Sequence, residues 1–429
     1  MPEAHARRSR CVMVLVMLAP NLTLSCALFA GDVPVARASG RPTPTPFQPA
    51  TGIVHSPFSV AALPGAEATF TPYPTAFIPP RVLPTAVGMI LPASGTSGEP
   101  QGTFNNPLTG LRPENPALLD RRPMVVKITN YERYVRPQSG LTLADVVFEY
   151  YIEAKLTRFI AVMYGNDSPK VGPVRSGRYF DEHLARMYRA YYIFKYADPR
   201  EYKYYKESDL LDFLVVPGAG ACPPFVVGGG GRDIYNNIFF NTTKFASCLA
   251  RAGLDNSRQP LRSNFFSDRP IGGEMPATRV FTRYSTDDYN YWDFDAQSGR
   301  YMRFQEAADT RGGKPETYAP LEDAETGRPV TAENVIVLFV RHTFTNSFDQ
   351  EDEIYHIDLV DSGEAFVFRD GLAIPARWYR TDLDQPLLIA TAMGAPVYLR
   401  PGVTFYQVIG ESSVYSNNAE EWHFQFMTP

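Results

Sequence analysis

The sequence predicts an α+β protein: an α/β domain with a mixed sheet over residues 106–262, a β-rich domain over 279–425, and a disordered proline-rich stalk ahead of both. Three observations lead there. The 38 prolines are densest in the stretch before Asn106, strand-like and helix-like runs alternate from Asn106 to about 262, and short strand-like runs follow one another closely from Arg279 onward.

The chain begins with Arg7, Arg8 and Arg10, followed by an apolar run from Cys11 to Pro20 that continues through Leu22 and Leu24 to Ser25 and Cys26. A positive segment, a short apolar core and a small residue before the cut are the parts of an export signal, and the run is short for a membrane span. Residues 1–26 are therefore read as a signal peptide. Leu22-Thr23-Leu24-Ser25-Cys26 resembles a bacterial lipobox, which makes Cys26 the lipidation site, although Thr23 stands where the pattern has Leu. An uncleaved anchor, or an ordinary cut near Ala30, exports the chain equally well.

Residues 27–105 carry Pro42-Thr-Pro-Thr-Pro46, Pro79-Pro80 and scattered Gly and Ser. Such composition favours extended backbone and buries too little apolar surface to fold alone. The expectation is a disordered stalk that holds the folded part away from a membrane. Cys11 leaves with the signal and Cys26 takes the lipid, so Cys222 and Cys248 remain as a disulfide pair in an oxidising compartment, or as two buried thiols.

In the first domain, Met124–Thr129, Asp145–Ile152 and Arg158–Tyr164 read as strands because they are apolar, β-branched or aromatic and bounded by turn formers. A helix is expected over Tyr179–Arg189, where Phe180, Leu184, Met187 and Tyr188 recur at helical spacing. A strand over Tyr191–Tyr196, a helix or irregular segment over Lys203–Leu214 and a helix over Thr243–Ala252 complete it. The second domain is expected to hold strands over 280–284, 289–294, 301–304, 335–340, 354–359, 365–368, 378–380 and 403–409, with turns at Ser298-Gly299 and Asp370-Gly371.

Several strings resemble the signature of the YerB-like lipoproteins: Arg136-Pro-Gln-Ser-Gly-Leu141, Ala144-Asp-Val-Val-Phe-Glu149, Thr157-Arg-Phe159 and Gly172-Pro-Val-Arg-Ser-Gly-Arg178. Asn106-Pro-Leu-Thr-Gly110, Asn334-Val-Ile-Val337, Phe368-Arg-Asp-Gly371, Trp378 and Pro401-Gly402 extend the likeness over most of the chain after the stalk. The resemblance implies an N-terminal domain of unknown function paired with a distinct C-terminal one, on a lipoprotein. Phe194-Lys-Tyr-Ala-Asp-Pro199 departs from the family pattern, where relatives tend to carry a His and a Gly-rich turn.

For chemistry, Gly172–Arg178 stands out. Gly172-Pro173 makes a rigid turn, which is expected to bring Arg175, Ser176 and Arg178 to the start of the following helix. There, free backbone N–H groups and two guanidinium groups suit a carboxylate or phosphate. Glu149 and Arg158 lie on neighbouring strands and complete the candidate ligand site. Alternatively the cluster is structural, with Ser176 capping the helix and Glu149 paired with Arg175.

A triad from Ser176, Asp181 and His183 has no nucleophile elbow. Paired carboxylates for glycoside hydrolysis, drawn from Asp145, Glu149, Glu153 and Asp181, have no spacing fixed by the sequence, so catalytic residues stay unassigned. No Cys/His spacing suits a metal, His342, His356 and His423 stand apart, and no cofactor motif occurs. Gly228–Asp233 lacks the Lys-Ser/Thr of a phosphate loop. The tyrosines at 188, 191, 192, 196, 202, 204 and 205 are either a sugar-stacking platform or amphipathic packing. With a net charge of −5 the chain is not expected to bind nucleic acid. The expected partners are a membrane through the lipid and a cell-wall polymer or another envelope protein. A wall-modifying hydrolase and an interaction scaffold are the competing readings.

Overall fold

The computed structural model describes residues 105–218, 224–228, 235–269 and 275–429. The signal segment, Cys26, the stalk up to 104, Cys222 and most of the Gly228–Asp233 loop lie outside the described residues. The described chain is mostly sheet, at 39% strand and 13% helix. None of its helices is long and apolar enough to cross a membrane.

The first half supplies β1 (Met124–Thr129), β2 (Val146–Tyr151), β3 (Thr157–Met163), β4 (Tyr191–Ile193), β5 (Leu214–Val215), β6 (Phe225–Val227) and β7 (Ile238–Phe240). Its helices are α1 (Asp181–Met187), α2 (Pro199–Glu207) and α3 (Phe245–Ala252). Every residue of β1, β2 and β3 is buried. Such strands read as continuous apolar runs because both faces of the sheet are covered.

The second half adds β8 (Met275–Pro276), β9 (Arg279–Arg283), β10 (Tyr289–Asp295), β11 (Arg300–Glu306), β12 (Tyr318–Pro320), β13 (Thr331–Ala332) and β14 (Asn334–Phe344). It continues with β15 (Tyr355–Asp358), β16 (Asp361–Arg369), β17 (Leu372–Arg380), β18 (Leu388–Ala390), β19 (Thr404–Gly410), β20 (Val414–Asn418) and β21 (Glu421–Gln425).

The expected separation into an α/β half and a β-rich half gives way to one shared sheet. Its order is β18-β17-β16-β14-β19-β2-β3-β1-β4-β5, with β15 and β8 added at the side. The seam is β19, parallel to β14 on one side and to β2 on the other, with Gln407 opposite Glu149. A seven-stranded sheet runs β12-β11-β10-β9-β21-β20, with β13 on β11.

The helices are shorter than expected. α1 ends at Met187 because Arg189 turns to a positive φ of 49° and leads straight into β4. α2 begins at Pro199, earlier than the tyrosine spacing suggests. Asp198 caps it in a capping box with Glu201, and a proline occupies its first turn, which together fix a helix start.

Candidate functional site

The Gly172–Arg178 string is a strap. The carbonyl of Pro173 accepts from the Thr129 N–H at 3.0 Å, the Arg175 N–H donates to the Lys127 carbonyl at 3.1 Å, and the Gly177 N–H donates to the Tyr196 carbonyl at 2.9 Å. It therefore lies along the carboxyl ends of β1 and β4. Gly172 has φ +143°, and a Cβ there meets the Val174 nitrogen at 2.7 Å, so no other residue turns the chain at that point.

The strap does not open a helix with Ser176. α1 starts at Asp181, five residues later, and no side chain caps it. Ser176 is half-buried, and its hydroxyl meets no partner among the described residues. The expected placement of these residues at a helix start is thus corrected: they lie on the strap beside the ends of β1 and β4.

Strand alternation sorts the candidate residues. Arg158 stands opposite Tyr150, and Glu149 opposite Phe159. Arg158 and Glu149 consequently face opposite sides of the sheet, and Glu149 cannot complete an arginine site around Arg158. The pairing of Glu149 with Arg175 is not found either.

Glu149 instead accepts two bonds from Arg303 of β11, at 2.9 and 2.8 Å, and one from Thr157 at 3.0 Å, with the amides of Asn290 and Gln407 at 3.4 and 3.3 Å. Both Glu149 and Arg303 side chains are 0% exposed. Burial holds the Glu149 carboxyl above its ordinary range, Arg303 counters this, and Asp288 adds to it. This network ties the two halves together.

On the other face, Asp181 is enclosed. Lys127 donates to it at 3.0 Å, the hydroxyls of Tyr150 and Tyr192 donate to its two oxygens, and the Arg178 N–H donates at 2.8 Å. Burial lowers the Lys127 ammonium to about 8, against the pull of Asp181. Arg178 is chelated by Glu153, with Nε to Oε2 at 2.7 Å and a second close bond, and lies 3.7 Å from Glu201. Burial raises Glu201 to about 7, with Asp181 and Glu153 adding to the shift.

Arg158 differs from its neighbours. It is 5% exposed, and among the described residues its guanidinium donates a single bond, from Nη1 to the Thr157 carbonyl at 3.0 Å. It forms no ion pair with any described carboxylate; Glu153, whose charge it feels, is occupied by Arg178. Burial and the charges of Arg175 and Arg178 lower it to about 9. Arg175 lies on the strap, half-buried, with Nη1 3.3 Å from the Tyr235 carbonyl. The Lys195 ammonium reaches the same carbonyl at 3.5 Å.

Two groups of expected residues go elsewhere. Asp145 accepts from the N–H groups of Tyr164 and Gly165, at 2.7 and 2.8 Å, and from Asn106 at 2.7 Å, which makes it a clamp for a loop. Of the tyrosine run, Tyr188, Tyr191, Tyr192 and Tyr205 are core, whereas Tyr196 and Tyr204 are exposed, so there is no continuous platform. Cys248 is buried on α3. No group of three or more His, Cys, Asp or Glu residues is arranged to hold a metal among the described residues.

A cavity of about 400 Å³ opens between α1, α2 and the β14–β15 hairpin, lined by Tyr179, Glu182, His183, Tyr204, Arg341 and His356 among others. Its inner polar groups are already engaged, Glu182 by Arg186 and Tyr204 and His183 by Arg380.

With this geometry in view, comparisons place the chain. Residues 108–255 match the N-terminal domain, and residues 280–406 the C-terminal domain, of the protein family of unknown function DUF3048. The chain belongs to this family. A relative, YerB of Bacillus subtilis strain 168, is 26% identical over 275 residues, covering 63% of this chain and 77% of YerB, and its name describes it as a lipoprotein. The crystal structure of YerB from Bacillus subtilis superposes with a TM-score of 0.57 at 23% identity, over 71% of this chain and 96% of that one, which shows a shared fold.

Family signature residues therefore divide between architecture and the candidate site. Asn106, Asp145 and Glu149 hold the fold, as does Arg136, whose Nη1 donates to the Glu306 carbonyl at 2.8 Å. Among the described residues Arg158 and Ser176 take no part in that framework, whereas Arg175 holds the Tyr235 carbonyl. Sequence reasoning missed Lys127, Lys195 and Arg303. The available signal was a lone cation inside an apolar strand, as in Met124-Val-Val-Lys-Ile-Thr129 and Tyr301-Met-Arg-Phe304.

Proposed function

We propose that this chain is an exported lipoprotein, anchored through Cys26 on the extracytoplasmic face of a membrane, whose Arg158 site binds the anionic group of a cell-envelope ligand, a glycan or a peptide. The observation that supports binding is the Arg158 guanidinium: it is buried, it has no carboxylate partner among the described residues, and it feels the charge of Arg175. A buried charge that the protein does not pair is costly, so its retention points to a counter-ion brought from outside. The lipoprotein name of the relative YerB supports the anchor.

Paired-carboxylate hydrolysis has less support. Glu149 and Asp181 are both buried, lie on opposite sides of the sheet, and are locked by Arg303 and by Lys127 respectively.

The test is co-sedimentation of the full-length chain, in detergent, with isolated cell wall. Wild type is expected to pellet, and Arg158→Gln with Arg175→Gln to stay in the supernatant at unchanged thermal stability. Equal pelleting of the two proteins, or none by wild type, sinks the proposal.

A further inference from the structure

The β14–β15 hairpin presents a small polar patch to the cavity of about 400 Å³ beside α1 and α2. Strand alternation builds it: His342, Tyr355 and Ile357 are buried, whereas Arg341, Thr343, His356 and Asp358 share the other face and line the cavity. The register sets Arg341 directly opposite Asp358, and Thr343 directly opposite His356. The loop of the hairpin is tied to α2, where Arg200 Nη2 donates to Asp352 at 3.1 Å, so the gap between hairpin and helices is part of the fold.

The two sides of the cavity differ in what they leave uncommitted. On the helix side, Glu182 and His183 are already held, as described above. On the hairpin side, the side chains of Arg341, Thr343 and Asp358 form no hydrogen bond or ion pair among the described residues. Opposite charges set directly across a ladder usually stabilise it by pairing. Arg341 and Asp358 do not pair, and both line the open cavity.

A simple anion on Arg341 lies against Asp358, and a simple cation on Asp358 lies against Arg341. A molecule with both charges on neighbouring atoms can meet both, because directly opposite residues stand about 5 Å apart at Cβ. An α-amino acid is such a molecule. The cavity also offers it ring surface: Tyr179 stacks on His356 with centroids 4.4 Å apart, and Tyr204 packs edge-on against Tyr179 at 5.2 Å. These rings suit an apolar or aromatic side chain, and the volume lies within the range of small-molecule sites.

We infer that this cavity binds a zwitterionic α-amino acid with a large apolar side chain. Its carboxylate seats on Arg341 and Thr343, its ammonium on Asp358, and its side chain lies along Tyr179 and Tyr204. This is a second site, independent of the Arg158 reading.

The experiment titrates the full-length chain in detergent, followed by calorimetry, with L-phenylalanine and three analogues. N-acetyl-phenylalanine keeps only the carboxylate, phenylalaninamide keeps only the ammonium, and glycine keeps both charges without the ring. Phenylalanine is expected to bind about tenfold or more tighter than each analogue, since each lacks one charge-assisted contact or the ring contact. Arg341→Gln is expected to lower phenylalanine to the affinity of its amide, and Asp358→Asn to that of its N-acetyl derivative. Both residues are exposed, so neither substitution removes a core contact. Arg158→Gln is expected to leave phenylalanine binding unchanged.

Phenylalanine that does not bind, that binds no tighter than any one of the analogues, or whose binding survives either hairpin substitution overturns the inference and leaves the Arg158 reading standing. Phenylalanine binding that is lost in Arg158→Gln overturns it as well, by moving the ligand to the other site.

Discussion

Replacing Arg303 by Met removes the cation paired with Glu149. In the native protein Arg303 spans both Glu149 oxygens at 2.9 and 2.8 Å, and neither side chain is exposed. The variant leaves Glu149 with Thr157 at 3.0 Å and long amide contacts, while the negative charge remains in a dry interior. Breaking a buried pair on one side costs about 3–5 kcal/mol, because the surviving charge is uncompensated. Glu149→Gln combined with Arg303→Met removes that charge too and is expected to regain most of the loss. Trp292 lies 5.3 Å from the Arg303 guanidinium and is buried, which makes its fluorescence a reporter for urea unfolding. The single-variant loss should be smaller at pH 5 than at pH 8, since an orphaned carboxyl already raised by burial takes up a proton. A loss below about 1 kcal/mol, or a double variant no more stable than the single, refutes the assignment of this pair as the tie between the halves.

Further outcomes follow from other residues. Burial and the neighbouring Asp288 raise Glu306 to about 8, so folding favours its protonated form; its stability contribution is full below about 4.5 and declines as the pH rises towards 8. Between pH 6 and 8, wild type is expected to lose about 1–2 kcal/mol relative to Glu306→Gln in parallel urea titrations, and parallel curves contradict this. Gly177→Ala places a methyl 2.7 Å from the Tyr192 hydroxyl that holds Asp181, and should cost about 1–3 kcal/mol by thermal melting, whereas an unchanged melting temperature means the tyrosines give way. Cys26→Ser is expected to release the chain from the membrane fraction into the soluble one; full retention points to an uncleaved anchor.

How much was legible in the sequence depended on how local the cause was. β1 runs over Met124–Thr129, as its apolar and β-branched run indicated, and the Asp370-Gly371 turn does join β16 to β17. The start of α2 was also written locally, in Asp198-Pro199 and Glu201, but the tyrosines behind it drew attention away. What stayed hidden was non-local. No periodicity shows that β19 inserts beside β2, since that contact joins Gln407 to a residue 258 positions earlier. Glu149 and Arg158 stand nine positions apart and look like partners; the fold turns one towards Arg303 and the other towards Arg175, because the strand pairing sets them on opposite faces. Three arginines were legible as a group, but not that Arg178 takes Glu153 and leaves Arg158 with no ion pair among the described residues. That depended on Glu153 reaching Arg178 across 25 positions.

Arginine-selective NMR of the full-length chain in detergent, titrated with inorganic phosphate, examines Arg158, which has no ion pair among the described residues, most directly. The Nε–H resonance assigned by its loss in Arg158→Gln is predicted to shift saturably with phosphate, while that of Arg178, held by Glu153, stays in place. A titration that moves Arg178 and leaves Arg158 unaffected, or moves neither, contradicts the account.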